Sequence, residues 1–246
     1  MKLTFSHPEF EQEVRERLNV FERDLTDADA LLVKELDFTN FDFKDEDIET
    51  LFLFSNLTSL SINIGQQNSF FWNHFSKLQE LYWCCWGFEI NFAVFSNMRE
   101  LTYLMVSGGD YSNIKFNNLD ALIQLSCLEE LLLHEFGPVD LAPLERMHQL
   151  KHFSLLYTGS AQNIETIGKL HWLESLDLCG LYIDNLDFLD SLPDSIELDM
   201  CGIEIYGRKE VDVFKWKRFK KRDICEIQVK DQYWEYVDLS ALADSL

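Results

Sequence analysis

The 246-residue chain has no run of 18 apolar residues, so nothing in it reads as a membrane-spanning helix. Its first residues, "MKLTFSHPEFEQEVRERL", lack the apolar stretch that a secretory leader requires. Basic residues are scarce: 21 Lys plus Arg stand against 43 Asp plus Glu, for a net charge of -22. Plain repulsion at that charge speaks against nucleic acid and against an anionic membrane as partners. The sequence also lacks a phosphate-binding loop, a His-Glu-x-x-His pair and a nucleophile elbow, three common carriers of catalysis. Cysteines number six, and without a leader they are expected as reduced thiols in a cytoplasm.

What is present is a globular composition, 47% hydrophobic and 26% charged. Twenty phenylalanines supply bulk for the core. The apolar residues are arranged in a repeat. The pattern apolar-x-x-apolar-x-apolar occurs as "VKELDF" at 33–38, "LTSLSI" at 57–62, "LQELYW" at 78–83 and "LTYLMV" at 101–106. It continues as "LEELLL" at 128–133, "LKHFSL" at 150–155 and "LESLDL" at 173–178, then, with Ser195 in an apolar slot, "SIELDM" at 195–200. The segments end at 38, 62, 83, 106, 133, 155, 178 and 200, a spacing of 21 to 27 residues. A fixed period of this length signals a solenoid.

Two periodicities coexist in each unit. The second half of each segment alternates, as a short strand with one buried face does. Ahead of it, apolar residues fall at every third position, as in Leu141, Leu144, Met147 and Leu150. Three is the side-chain period of a 3₁₀ turn. Each unit is therefore a strand, a turn and a tight helical return, and stacking the units buries one apolar ribbon.

These segments and their spacing resemble the leucine-rich repeat family, in its 22-residue class found in internalin-like bacterial proteins. The resemblance covers about 33–205. It implies an α/β, right-handed solenoid of eight or nine rungs with a parallel concave sheet and 3₁₀ or short-helix turns on the convex side. The stretch "VRERLNVFERDLTDADALLVKELDF" is similar to the helical N-terminal cap of that class, with Thr26 or Asp27 placed to cap a short helix. The organisation expected is a cap at 1–32, repeats at 33–205 and a C-terminal capping segment at 206–246. One departure stands out. The family places Asn three residues after the strand's last leucine, whereas this chain has Phe41, Gly65, Trp86, Gly109, Phe136, Thr158, Leu181 and Ile203 there. Loop backbone must then be satisfied in another way.

The last 39 residues, 208–246, carry nine Lys plus Arg and eight Asp plus Glu. "ICEIQV" at 224–229 fits the strand pattern again and is expected as a ninth strand. The basic, aromatic stretch Arg208–Arg222 before it could contact nucleic acid, cap the last rung or dock on an acidic surface.

Residues between the buried ones should point out from the concave face in three columns. The first runs Glu35, Ser59, Glu80, Tyr103, Glu130, His152, Ser175, Glu197 and Glu226. The second runs Asp37, Ser61, Tyr82, Met105, Leu132, Ser154, Asp177, Asp199 and Gln228. The third runs Thr39, Asn63, Cys84, Ser107, His134, Leu156, Cys179, Cys201 and Lys230. The first two hold eight acids and no Lys or Arg. Tyr82, Tyr103, Met105, Leu132 and Leu156 form an apolar centre within that acidic surround, which is the anatomy of a protein-binding patch. The expected contact set is Tyr82, Tyr103, Met105, Glu130, Leu132, His134, His152, Leu156, Asp177, Glu197 and Asp199.

A catalytic constellation is not expected. His134 and Cys179 lie two rungs apart, about 10 Å, too far for a nucleophile and its base. His152 beside Glu130 reads as an ion pair. Cys179 and Cys201 have no further ligands at tight spacing, so no metal and no cofactor are expected. The reading is a non-catalytic module that binds a protein partner through the concave face, whose acids suit a basic one. The alternative is an inhibitor or immunity protein that covers a basic toxin or nuclease.

Overall fold

A computed structural model describes the chain except for residues 42, 44, 66–67, 88, 109–113, 159–160, 207–212, 226, 231–235 and 239–246. Nine parallel strands form one sheet in chain order: β1 (Glu35–Phe38), β2 (Ser59–Asn63), β3 (Glu80–Cys84), β4 (Tyr103–Ser107), β5 (Glu130–His134), β6 (His152–Leu156), β7 (Ser175–Cys179), β8 (Glu197–Cys201) and β9 (Lys221–Cys225). The register is uniform: Glu80, Tyr103, Glu130, His152, Ser175 and Glu197 are direct neighbours across β3 to β8. Within β2, β5, β6 and β7 the second and fourth residues are buried and the others half-buried, as the alternation requires.

The convex side begins with two short helices and continues in 3₁₀ turns. After α1 (Pro8–Leu18) and α2 (Asp27–Ala30) in the cap come α3 (Asp45–Leu51) and α4 (Ser69–Asn73), then 3₁₀ turns such as Ala142–Arg146 and Ile164–Lys169. The period of three is visible as hydrogen bonding. The amides of Leu144, Met147 and Leu150 donate to the carbonyls of Leu141, Leu144 and Met147 at 3.0, 2.9 and 3.0 Å. The same residues are fully buried, so one spacing serves both backbone pairing and core packing.

The absent asparagines are replaced by main chain and by apolar bulk. The amides of Cys85, Gly108, Glu135, Tyr157 and Gly180 each donate to the last strand carbonyl of the next rung: Ser107, His134, Leu156, Cys179 and Cys201, at 2.6 to 2.9 Å. In the slots themselves, Phe136, Leu181 and Ile203 are buried and pack into the core. Thr158 shares the slot, is also fully buried, and its hydroxyl has no hydrogen-bond partner.

The cap closes the first rung. Pro8 presets the start of α1, and Asn19 ends it in a left-handed conformation at φ 53°. Phe10 and Val14, one turn apart, are the buried face. Phe10 packs ring to ring with Phe38 at 4.7 Å and Phe54 at 5.8 Å. The carboxylate of Glu13 accepts the amide of Asp37 at 3.0 Å on the free edge of β1. In α2, Thr26 and Asp29 form a reciprocal capping box.

The last strand differs from the sequence expectation. In the last rungs the spacing apolar-x-x-apolar-x-apolar recurs on the way out of the strand: Leu178, Leu181 and Ile183; Met200, Ile203 and Ile205; Ile224, Ile227 and Val229. "ICEIQV" is the outgoing copy. The strand that continues the main sheet is therefore Lys221–Cys225, with Ile224 beside Met200 and Cys225 beside Cys201. Residues 228–230 belong to a small side sheet with Tyr182–Ile183 and Glu204–Tyr206. Gln228 and Lys230 thus leave the concave columns, and Glu226 lies outside the described residues.

The basic stretch is a cover for the last turns. Trp216 and Phe219 are buried. Arg218 donates to the carbonyls of Leu192 and Leu189 and bonds Asp194, and Lys215 pairs with Asp190 at 2.8 Å. Among the described residues, Lys215, Arg218 and Lys220 thus pair with acids of their own chain.

Candidate functional site

Strand alternation leaves the concave columns as the side chains not needed for the core. Tyr82 and Tyr103, on β3 and β4, face each other with ring centroids 4.6 Å apart and planes tilted by 33°. Burial, then the carboxylates of Glu80 and Glu130, push the pKa of Tyr82 above the usual tyrosine value. Burial followed by Tyr82 and Glu130 pushes Tyr103 higher still. Both rings stay neutral at physiological pH and are held between two acids. Met105, Leu132 and Leu156 continue the patch on β4 to β6. These five were expected exposed; all are half-buried, because each rests on its neighbour one rung away.

The polar residues pair among themselves. His134 contacts the Ser107 hydroxyl at 3.1 Å, and His152 contacts that of Ser175 at 2.7 Å. The expected His152–Glu130 ion pair is not formed; Ser175, its neighbour on the other side, takes the imidazole instead. Glu35 at the first rung is held by Arg17 of the cap at 2.9 Å, and Glu197 meets Lys220 at 3.1 Å. The two ends of the acidic columns are therefore partly neutralised, and Glu80 and Glu130 in the middle flank the tyrosines.

On β6 to β8 a cavity of about 270 Å³ is lined by Ser154, Ser175, Asp177, Glu197 and Asp199. Burial, opposed by a hydrogen bond from Cys179 and reinforced by Asp199, raises the pKa of Asp177 above the usual carboxylate range. The Cys179 thiol lies 3.4 Å from Asp177 and is pushed up to about 12, first by burial and then by that carboxylate. Asp177, Cys179 and Asp199 offer donor atoms within 4.8 Å of one another. A cation there would have to displace the thiol proton, and a thiol so protonated is a poor nucleophile. A larger cavity of about 640 Å³ lies between α1 and β1, bordered by His7, Glu13, Arg17 and Asp37.

The thiols differ from expectation. Cys84, Cys85, Cys127 and Cys179 are free, but Cys201 is disulfide-bonded, so not all six are reduced. Sequence reasoning also missed the left-handed residues Glu135 and Tyr157 beside the sheet, since neither is of a type that signals such a backbone.

Among the described residues no helix is long and apolar enough to cross a membrane. The sheet, the 3₁₀ returns and the helical cap together define a leucine-rich-repeat, internalin-like fold. An internalin (inlF) from Listeria monocytogenes superposes with a TM-score of 0.66 at 18% identity, over 93% of this chain and 65% of that one. Internalin C2 of the same species gives 0.60 at 16% identity, over 89% of this chain and 94% of that one. The Arabidopsis receptor kinase HAESA, in complex with the peptide hormone IDA and the co-receptor SERK1, gives 0.55 at 20% identity, over 80% and 35%. The chain thus spans under two thirds of inlF and about a third of HAESA. No protein-family model matches the sequence, and no curated protein matches it either.

Proposed function

We propose that the chain is a non-catalytic module that binds a protein partner through its concave face, and that the partner's contacting surface is basic. The observation that carries this reading is the Tyr82–Tyr103 pair, half-buried, neutral and set between Glu80 and Glu130. Rigid aromatic anchors at the centre of a polar surround dominate binding energy in protein interfaces. Met105, Leu132 and Leu156 extend the apolar centre; His134, His152, Asp177, Glu197 and Asp199 supply its polar border. That a similar fold, HAESA, is seen with a peptide hormone supports a protein or peptide ligand for this architecture. The protonated Cys179 and the absence of a paired base in reach among the described residues support a role without catalysis. A bacterial, cytoplasmic setting belongs to the same reading; the four free thiols favour it, and the bonded Cys201 speaks against it.

The net charge of -22 favours a second reading of the same face, an inhibitor that covers a basic toxin or nuclease. Affinity capture from a bacterial lysate separates the two by the identity of the partner. Surface plasmon resonance on that partner then tests the face. Tyr82→Ala with Tyr103→Ala should raise the off-rate and cost about 2 kcal/mol or more, roughly thirtyfold in affinity. Glu80→Gln with Glu130→Gln should lower the on-rate and flatten its salt dependence. Unchanged binding in both double variants would sink the concave-face reading.

A further inference from the structure

The residues directly after β5 to β8 are Glu135, Tyr157, Gly180 and Gly202, and all four are left-handed, with φ of 59°, 54°, 63° and 65°. This conformation crowds any Cβ, which is why glycine is its usual occupant. Two neighbouring rungs therefore hold a strained Glu and Tyr in a slot that the next two rungs fill without strain. Such outliers persist where the side chain serves a purpose. The fold gains little from this one, because Tyr157 is 60% exposed.

Tyr157 is nonetheless held in place. A Cβ on Gly180 would overlap its Cδ1, so the ring lies against bare backbone of the next rung. On the other side His134 meets it edge-on, with centroids 5.7 Å apart and planes at 78°. One rung further, Tyr182 is 49% exposed and lies beside Tyr206 at 6.1 Å. In the side sheet Tyr182 is level with Glu204, while Ile183 and Ile205 turn into the core, so Tyr182 and Glu204 share the outward face. The loops 135–141, 157–163, 180–186 and 202–206 hold four acids, Glu135, Asp140, Asp184 and Glu204, and no Lys or Arg.

We infer that this loop edge, lateral to the concave face, is a second contact surface, and that its occupant is an extended protein segment bearing Lys or Arg. Fixed aromatic faces beside carboxylates attract cations through both the ring quadrupole and the charge. Rungs 5 to 8 span three steps, about 14 Å, which an extended segment of about five residues covers. The surface shares His134 with the border of the concave patch but not its tyrosine pair, so variants of the two tyrosine pairs separate them.

The test pans a phage-displayed library of random peptides, each of about a dozen residues, against the full chain. Enriched peptides are then measured on two double variants, Tyr157→Gly with Tyr182→Ser, and Tyr82→Ala with Tyr103→Ala. The expected result is enrichment of Lys- or Arg-bearing peptides that bind the edge variant about tenfold or more weakly and the concave variant as they bind the wild type. Tyr157→Gly alone should melt no lower than the wild type, because glycine relieves the strain there. No enrichment, enriched peptides without Lys or Arg, or equal binding to the edge variant each overturns the inference. A large fall in melting temperature for Tyr157→Gly also overturns it, since the side chain would then serve the fold. Loss of binding on the concave variant alone removes the edge surface and leaves the concave one standing.

Discussion

The guanidinium of Arg23 grips the carboxylate of Asp29 with two hydrogen bonds, of 2.8 and 2.5 Å, while the Thr26 amide and hydroxyl each donate to the same carboxylate at 2.7 Å. The Arg23 bond first, and the Thr26 hydroxyl next, hold Asp29 well below the usual carboxylate range. A carboxyl depressed in the folded state adds stability above its unfolded pKa, and that gain is lost as the pH falls toward the folded value. Asp29→Asn should therefore lower the melting temperature at pH 7. The gap between variant and wild type should close progressively as thermal melts are taken below about pH 4. A gap independent of pH would show that the carboxylate's charge is irrelevant to the cap.

Leu131 and Leu132 are adjacent in β5 but face opposite ways, the first fully buried and the second half-buried on the concave side. An unpaired carboxylate at Leu131 would cost several kcal/mol. Leu131→Asp is expected to abolish the cooperative urea transition, whereas Leu132→Asp keeps it. Equal loss in both would show the register to be wrong.

Thr158 carries a hydroxyl that is fully buried and unpartnered. Removing it without changing shape eliminates a desolvated polar group. Thr158→Val should gain about 1 kcal/mol, which raises the melting temperature by about 2–4 °C in a chain of this size. Differential scanning calorimetry measures it, and a fall in the melting temperature would show that the hydroxyl is satisfied in solution.

Alkylation of the denatured but unreduced protein, followed by mass spectrometry, should label four thiols, with Cys84, Cys85, Cys127 and Cys179 among them. In the native protein Cys127 should react first, because it is exposed while burial pushes Cys85 up to about 12. Six labelled thiols would show that Cys201 is reduced in solution.

The solenoid is legible in the sequence because both of its periods are local. Alternation in 176–178 and the spacing of three through Leu141, Leu144, Met147 and Leu150 each report on one wall within a single rung. The concave columns follow from those periods alone, so the Tyr82–Tyr103 contact could be anticipated. What the spacing could not distinguish was the incoming from the outgoing copy of one motif, hence the shift of β9. Contacts between rungs were hidden for another reason. His152 chooses Ser175 over Glu130 according to which side chains reach across about 4.8 Å. The left-handed backbone at Glu135 and Tyr157 left no trace, because the hydrogen-bond ladder imposes it on whichever residue occupies the slot.

The bond from the Glu13 carboxylate to the Asp37 amide also bears on how this molecule behaves among its own copies. A stack of parallel strands is open-ended by construction, and an unpaired first strand would template a further rung from any chain that offered one. With that amide already taken and α1 laid across it, the stack has a direction in which it cannot grow. Loss of the whole cap, Glu13 with α1, would leave each molecule with an adhesive end.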